Sequence, residues 1–157
     1  MPQFTKTVLI DAPRSEVWRT LADLEAVELY SPSVKTAFYT SDEREGVGAS
    51  RYCDFHGPGS VNERVVNWEE GERLGIHIEK GFPAENVIAD FRLSDEEGGT
   101  RVDVHFSYER KYGPIGALMD RLMMRSYAEK AMHSLVKGLK RHTETGERQE
   151  PRSRTRA

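Results

Sequence analysis

Between residues 34 and 112 apolar and polar positions alternate along the chain, interrupted at intervals by turns. From Val102 to Tyr108, Val102, Val104, Phe106 and Tyr108 fall on one side, with Asp103, His105 and Ser107 on the other. Val87, Ala89, Phe91 and Leu93 likewise oppose Ile88, Asp90 and Arg92, and Leu74, Ile76 and Ile78 oppose His77 and Glu79. Successive side chains on a strand leave opposite faces, so this period of two predicts strands with one apolar and one wet face. Glycine-bearing turns near residues 46–48, 57–59, 70–72, 81–83 and 98–99 separate the strands at the spacing of an antiparallel meander.

Helical patterns flank this block. Asp11-Ala12-Pro13 precedes Val17, Trp18 and Leu21, and proline suits a first helical turn because its missing N–H has no partner there anyway. A second short helix is expected from Leu24 to Tyr30, closed by Ser31-Pro32. Gly113-Pro114 opens a long helical stretch to about Thr145. Ile115, Leu118, Met119, Leu122 and Met123 share one face of it, while Ala128, Met132, Leu135, Val136 and Leu139 share another, turned by roughly 110°. The stripe switches near Arg125 to Tyr127, which predicts a kink there or a change of partner surface. The first half is expected to cover the mouth of the sheet and the second half its centre. Strand, two short helices, six strands and a long helix make an α+β fold, with a curved antiparallel sheet of about seven strands around one helix.

At 157 residues the chain suits one domain with one core. The net charge of −3 hides an asymmetry: residues 140–157 carry six basic and three acidic side chains, leaving −6 on the rest. The last eleven residues hold no apolar side chain except Ala157, too little to offset the entropy of ordering. Residues 1–146 are therefore read as a single domain and 147–157 as a disordered basic tail. An acidic body repels phosphates and no aromatic residues interleave with the tail's arginines, which argues against a nucleic-acid partner. No run approaches the ~18 apolar residues of a membrane span. The segment from Met1 to Ile10 lacks the apolar core of a signal peptide, and the lone Cys53 fits a reducing compartment, so a cytoplasmic location is expected.

Several short motifs occur in a fixed order: residues 8–18 (VLIDAPRSEVW), Asp23, Ser31-Pro32, residues 46–51 (GVGASR), residues 63–69 (ERVVNWE), residues 98–102 (GGTRV), and Gly113-Pro114. Together they resemble the START/polyketide-cyclase (SRPBCC) superfamily, over residues 3 to about 145. The resemblance implies a helix-grip fold with a hydrophobic cavity between sheet and long helix. It also implies hydrophobic ligands such as lipids, polyketides or aromatic compounds, which some members cyclise or hydrolyse and many only carry or sense. Its markers are structural and carry over no catalytic residue.

The candidate chemistry is sparse. The five histidines show no metal-ligand spacing, no metal or cofactor is implied, and no serine-hydrolase elbow occurs. Cys53 and His56 differ by an odd number and leave opposite faces of a regular strand, so Cys53 reads as a small buried side chain rather than a nucleophile. If residues 56 and 60 pair across the turn, Phe55 faces Val61, Cys53 faces Glu63 and Arg51 faces Val65, making Arg51 and Glu63 diagonal neighbours. These six share one face, and its apolar members suggest the inner one; the alternative turns Tyr52, Asp54, Val66 and Trp68 inward. A buried carboxylate beside a guanidinium is costly unless paired, and a pair of that kind orients a ligand's polar end.

Within the cavity that the resemblance implies, Phe91, Tyr108, Leu118, Met119 and Leu122 are the further candidate contacts, with Tyr30 and Phe82 at the rim. Three readings stand open for a monomer or homodimer: a module binding a hydrophobic or amphipathic small molecule; a polyketide cyclase or aromatase using Glu63 or Tyr108 for proton transfer; or an interaction protein with a filled core.

Overall fold

The first strand of the chain pairs with the last, which brings residues 3–10 beside residues 100–107. A computed structural model describes residues 2–57, 59–82, 84–109, 113–119 and 123–147. Its strands are β1 (Gln3–Ile10), β2 (Val34–Tyr39), β3 (Ser50–Phe55), β4 (Ser60–Glu69), β5 (Arg73–Lys80), β6 (Glu85–Glu96) and β7 (Gly99–Glu109). They form one antiparallel sheet in the order β1-β7-β6-β5-β4-β3-β2. The inner face is the one the alternation marks: Val87, Ala89, Phe91, Leu93, Val102, Val104, Phe106 and Tyr108 are all buried.

Between the two edge strands run α1 (Arg14–Ala22), a 3₁₀ turn (Leu24–Ala26) and α2 (Val27–Tyr30). Pro13 is the N-cap of α1 at φ −65° and ψ 150°, one position before the first helical turn where the sequence places it. Its carbonyl already accepts from the Glu16 and Val17 amides, so the cap works through the backbone. Trp18 on α1 meets Trp68 on β4 edge-on, with ring centroids 5.1 Å apart. A bulge between Val65 and Asn67 breaks the period of two and turns Trp68 toward the core. Trp68 is therefore an inner residue, although Arg51, Cys53 and Glu63 also face inward.

The stretch expected as one kinked helix is described as two, α3 (Gly113–Met119) and α4 (Arg125–Thr145). A π-type turn at Met123 and Met124 leads directly into α4. Ile115 and Leu118 are 68% and 55% exposed, so the first apolar stripe is not buried as the sequence reading expects. Leu122, the Met119 side chain and tail residues 148–157 lie outside the described residues. The second stripe is internal: Ala128, Leu135, Val136 and Leu139 are buried, and Met132 packs against the core. It does not sit on the sheet's centre, however. α4 packs chiefly on edge strand β1, with α1, α2 and β7 beside it.

One contact fixes how closely α4 approaches α2. A Cβ on Gly138 would stand 1.8 Å from the Tyr30 carbonyl oxygen, so only a hydrogen fits between the helices. Among the described residues no helix is long and apolar enough to cross a membrane.

Candidate functional site

Because α4 lies toward the β1 end, the β2–β5 half of the sheet has little helix against it. There a pocket of about 420 Å³ opens between sheet and helix. Its α4 wall is Tyr127, Ala128, Ala131, Met132 and Leu135, spaced as one helical face. Two of these five are alanines, whose small side chains take up little of the space. Val34, Phe55, Val61, Ile78, Phe82 and Phe106 add to the apolar wall.

The polar end is built on β3 and β4. Arg51 Nε donates to Glu63 Oε1 at 2.7 Å, and Arg51 Nη1 donates to the Leu24 carbonyl at 3.0 Å. Cys53 Sγ donates to the same Oε1 at 3.6 Å. The side chains of Arg51 and Glu63 are only 7% and 12% exposed, and both line the pocket with Cys53, Ser31 and Ser33. The Leu24 backbone is held from both sides, since its N–H donates to the Tyr39 hydroxyl at 3.1 Å. Arg51 thus ties the inner sheet face to the 3₁₀ turn as well as to Glu63.

The register differs from the one the sequence suggests. Arg51 pairs directly with Glu63 and Cys53 with Val61, rather than Arg51 with Val65 and Cys53 with Glu63. The Phe55 amide donates to the Gly59 carbonyl at 3.3 Å, so the turn closes one residue earlier on both sides than a pairing of residues 56 and 60 would have it, while the His56 amide donates to the Ser33 carbonyl at 3.1 Å. The partners shift by two residues, which keeps the same faces inward and makes Arg51 and Glu63 direct neighbours instead of diagonal ones.

Charges in this cluster act on one another. Burial, the largest single effect, opposes the charged form of Arg51, but Glu63, Cys53 and Tyr30 together outweigh it and hold the guanidinium pKa above its ordinary value. Burial raises the Tyr30 hydroxyl pKa, opposed by Arg51. Burial likewise pushes the Cys53 thiol up to about 12, again opposed by Arg51. A thiol held there is almost wholly protonated near neutrality and is no nucleophile.

A pH dependence follows from Cys53. Its folded pKa lies above the ordinary value of 9.0, so its stabilising contribution is complete below pH 9 and is lost as pH rises toward 12. Urea unfolding at pH 8, 9, 10 and 11 should show stability falling over this range, and Cys53→Ala should flatten the fall. The native thiol should also resist a disulfide reagent at pH 8 and react fully once urea unfolds the chain. Fast reaction in the native state would contradict the buried, protonated thiol.

The remaining candidates are placed as follows. Phe82 lines the pocket, but it is no loose turn-tip residue: its ring packs edge-on against Phe106 and Tyr108 at 5.8 and 5.9 Å. Phe91 and Tyr108 are buried yet are not among the lining residues, because they lie deeper in the core. Leu118 is exposed and lines nothing. Tyr30 is 2% exposed, beneath Gly138 of α4 rather than at a rim. Sequence reasoning missed Ala128 and Ala131 as pocket walls, although their small size at helical spacing was a readable sign of space. It also missed the bond from Arg51 to Leu24, which no local pattern signals.

The family model described as polyketide cyclase / dehydrase and lipid transport matches residues 1–144. The chain belongs to this family. Its sheet and long C-terminal helix are the helix-grip arrangement that the ordered motifs imply. A solved protein from Thermus thermophilus is similar, with 23% identity and a TM-score of 0.75, covering 90% of this chain and 97% of that one. The Aha1 dimer from Colwellia psychrerythraea is similar at 14% identity and a TM-score of 0.71, covering 93% and 98%. Ara h 8.0201 is similar at 14% identity and a TM-score of 0.72, covering 90% and 97%. These likenesses concern the fold. No curated protein matches the chain by sequence.

Proposed function

We propose that the protein binds a hydrophobic or amphipathic small molecule between α4 and the β2–β5 half of the sheet. One observation carries this reading: an apolar pocket of about 420 Å³ ends in a buried Arg51–Glu63 pair. That size falls within the ~300–1,000 Å³ usual for small-molecule sites, and an apolar wall with a few fixed polar groups is their usual make-up. Arg51, Cys53 and Glu63 would meet the ligand's polar end, and Phe82, Met132 and Leu135 its apolar body. Membership of a family described by polyketide cyclisation and lipid transport supports a hydrophobic ligand.

Proton-transfer catalysis in the same pocket has less support. Tyr108 does not line it, and Glu63 Oε1 already accepts from Arg51 and Cys53.

Native mass spectrometry of freshly purified protein, followed by thermal shifts against lipids and aromatic compounds, tests the binding reading. A ligand at a hundredfold excess over its Kd adds about 2.7 kcal/mol, which raises the melting temperature by roughly 5–10 °C. Ala131→Phe should fill the space and abolish that rise while the protein stays folded. If no apolar compound shifts the wild-type melting temperature, the binding reading fails.

A further inference from the structure

We propose, building on the binding reading above, that the pocket selects an uncharged hydroxyl compound, an alcohol or a phenol, over a carboxylate of the same size. Arg51 and Glu63 meet at one point only. Their contact is a single bond, Nε to Oε1, and Nη1 is spent on the Leu24 carbonyl. Among the described residues, Arg51 Nη2 and Glu63 Oε2 have no protein hydrogen-bond partner, although both side chains line the pocket. The Arg51–Glu63 pair therefore offers one open donor group and one open acceptor.

A hydroxyl group answers both with one oxygen, because it donates and accepts. Donating to Glu63 Oε2 and accepting from Arg51 Nη2, it replaces the water these groups lose when a ligand fills the pocket. A carboxylate only accepts, and it leaves the Glu63 oxygen without a donor. An unmatched buried acceptor costs the desolvation of that group with nothing in return.

Charge points the same way. Arg51 is the one cation among the described lining residues, and Glu63 neutralises it at 2.7 Å. The polar end carries no net charge, so an entering anion meets Glu63 repulsion along with Arg51 attraction. It does so among apolar side chains, where an uncompensated charge is expensive. None of the other polar lining side chains, Ser31, Ser33, Tyr127 and the protonated Cys53, is a carboxylate or a cation.

Matched pairs of probes test this directly: 2-naphthol against 2-naphthoate, and 1-decanol against decanoate, titrated into the wild-type protein at pH 7.5. The hydroxyl member of each pair is expected to bind at least about tenfold more tightly, as one well-placed hydrogen bond allows. Glu63→Gln removes the anion and leaves Arg51 charged, so the preference should move toward the carboxylate by about tenfold or more. Equal or tighter binding of the carboxylates to wild type overturns the proposal, as does an unchanged preference in a folded Glu63→Gln variant. The wild-type comparison stands by itself if that variant does not fold. Absence of binding by all four probes, and by the wider apolar set, is a different outcome: it removes the binding reading and this inference with it.

Discussion

Glu63→Ala is expected to destabilise the protein by about 3–5 kcal/mol, as breaking a buried ion pair from one side does. The loss comes from the charge left behind. Arg51 is buried, its Nε loses the acceptor at 2.7 Å, and no other carboxylate among the described pocket residues replaces it. The Cys53 thiol loses its acceptor at the same time. For a domain of this size the melting temperature should fall by roughly 6–20 °C. The companion variant Arg51→Met/Glu63→Leu should recover much of this loss, because an apolar replacement leaves no buried charge. Recovery will be partial, since the Leu24 carbonyl also loses its donor. Denaturant unfolding of the two single variants and the double variant forms a thermodynamic cycle that measures the pair. A loss under about 1 kcal/mol for Glu63→Ala would place the pair among exposed surface bridges and contradict its burial.

Gly138→Ala sets two effects of opposite sign against each other. Glycine inside a helix is worse than alanine by about 1 kcal/mol, so α4 taken alone should gain from the change. In the folded protein the added Cβ would stand 1.8 Å from the Tyr30 carbonyl oxygen and 2.9 Å from its carbonyl carbon. The obstacle is backbone of α2, which cannot rotate aside as a side chain can. Either α4 lifts or α2 retreats, and overpacking of this kind typically costs ~1–3 kcal/mol and sometimes more. We expect a net loss of about 2 kcal/mol, measured by urea unfolding. A gain in stability would show that the two helices do not meet as closely as described.

The outline of the fold was readable because its signals are local. Alternation identified β5, β6 and β7 and the side chains they bury, and Ala128 to Leu139 marked the buried face of α4. The candidate site was readable only in part. Parity placed Arg51, Cys53 and Glu63 on one face, a statement that survives any even shift of register. Their partners depend on how the turn after β3 closes, and there the Phe55 amide bonds the Gly59 carbonyl instead of residue 56 pairing with residue 60. Phe91 and Tyr108 show the same limit from the other side. Alternation says that a residue faces inward, but not whether packed side chains or open space stands in front of it.

Sequence alone therefore determined which segments are strands and helices, which face of each is apolar, and which family the ordered motifs resemble. Backbone geometry imposes those periods residue by residue, so they need no knowledge of distant contacts. Tertiary structure alone decided that Arg51 bonds Glu63 directly and Leu24 beyond it, and that Gly138 lets α4 settle onto Tyr30. It also decided that the helix lies toward β1 and leaves space before Ala128 and Ala131. A pocket is the space between elements far apart in the chain, and its size depends on how closely their backbones approach, which no local pattern encodes.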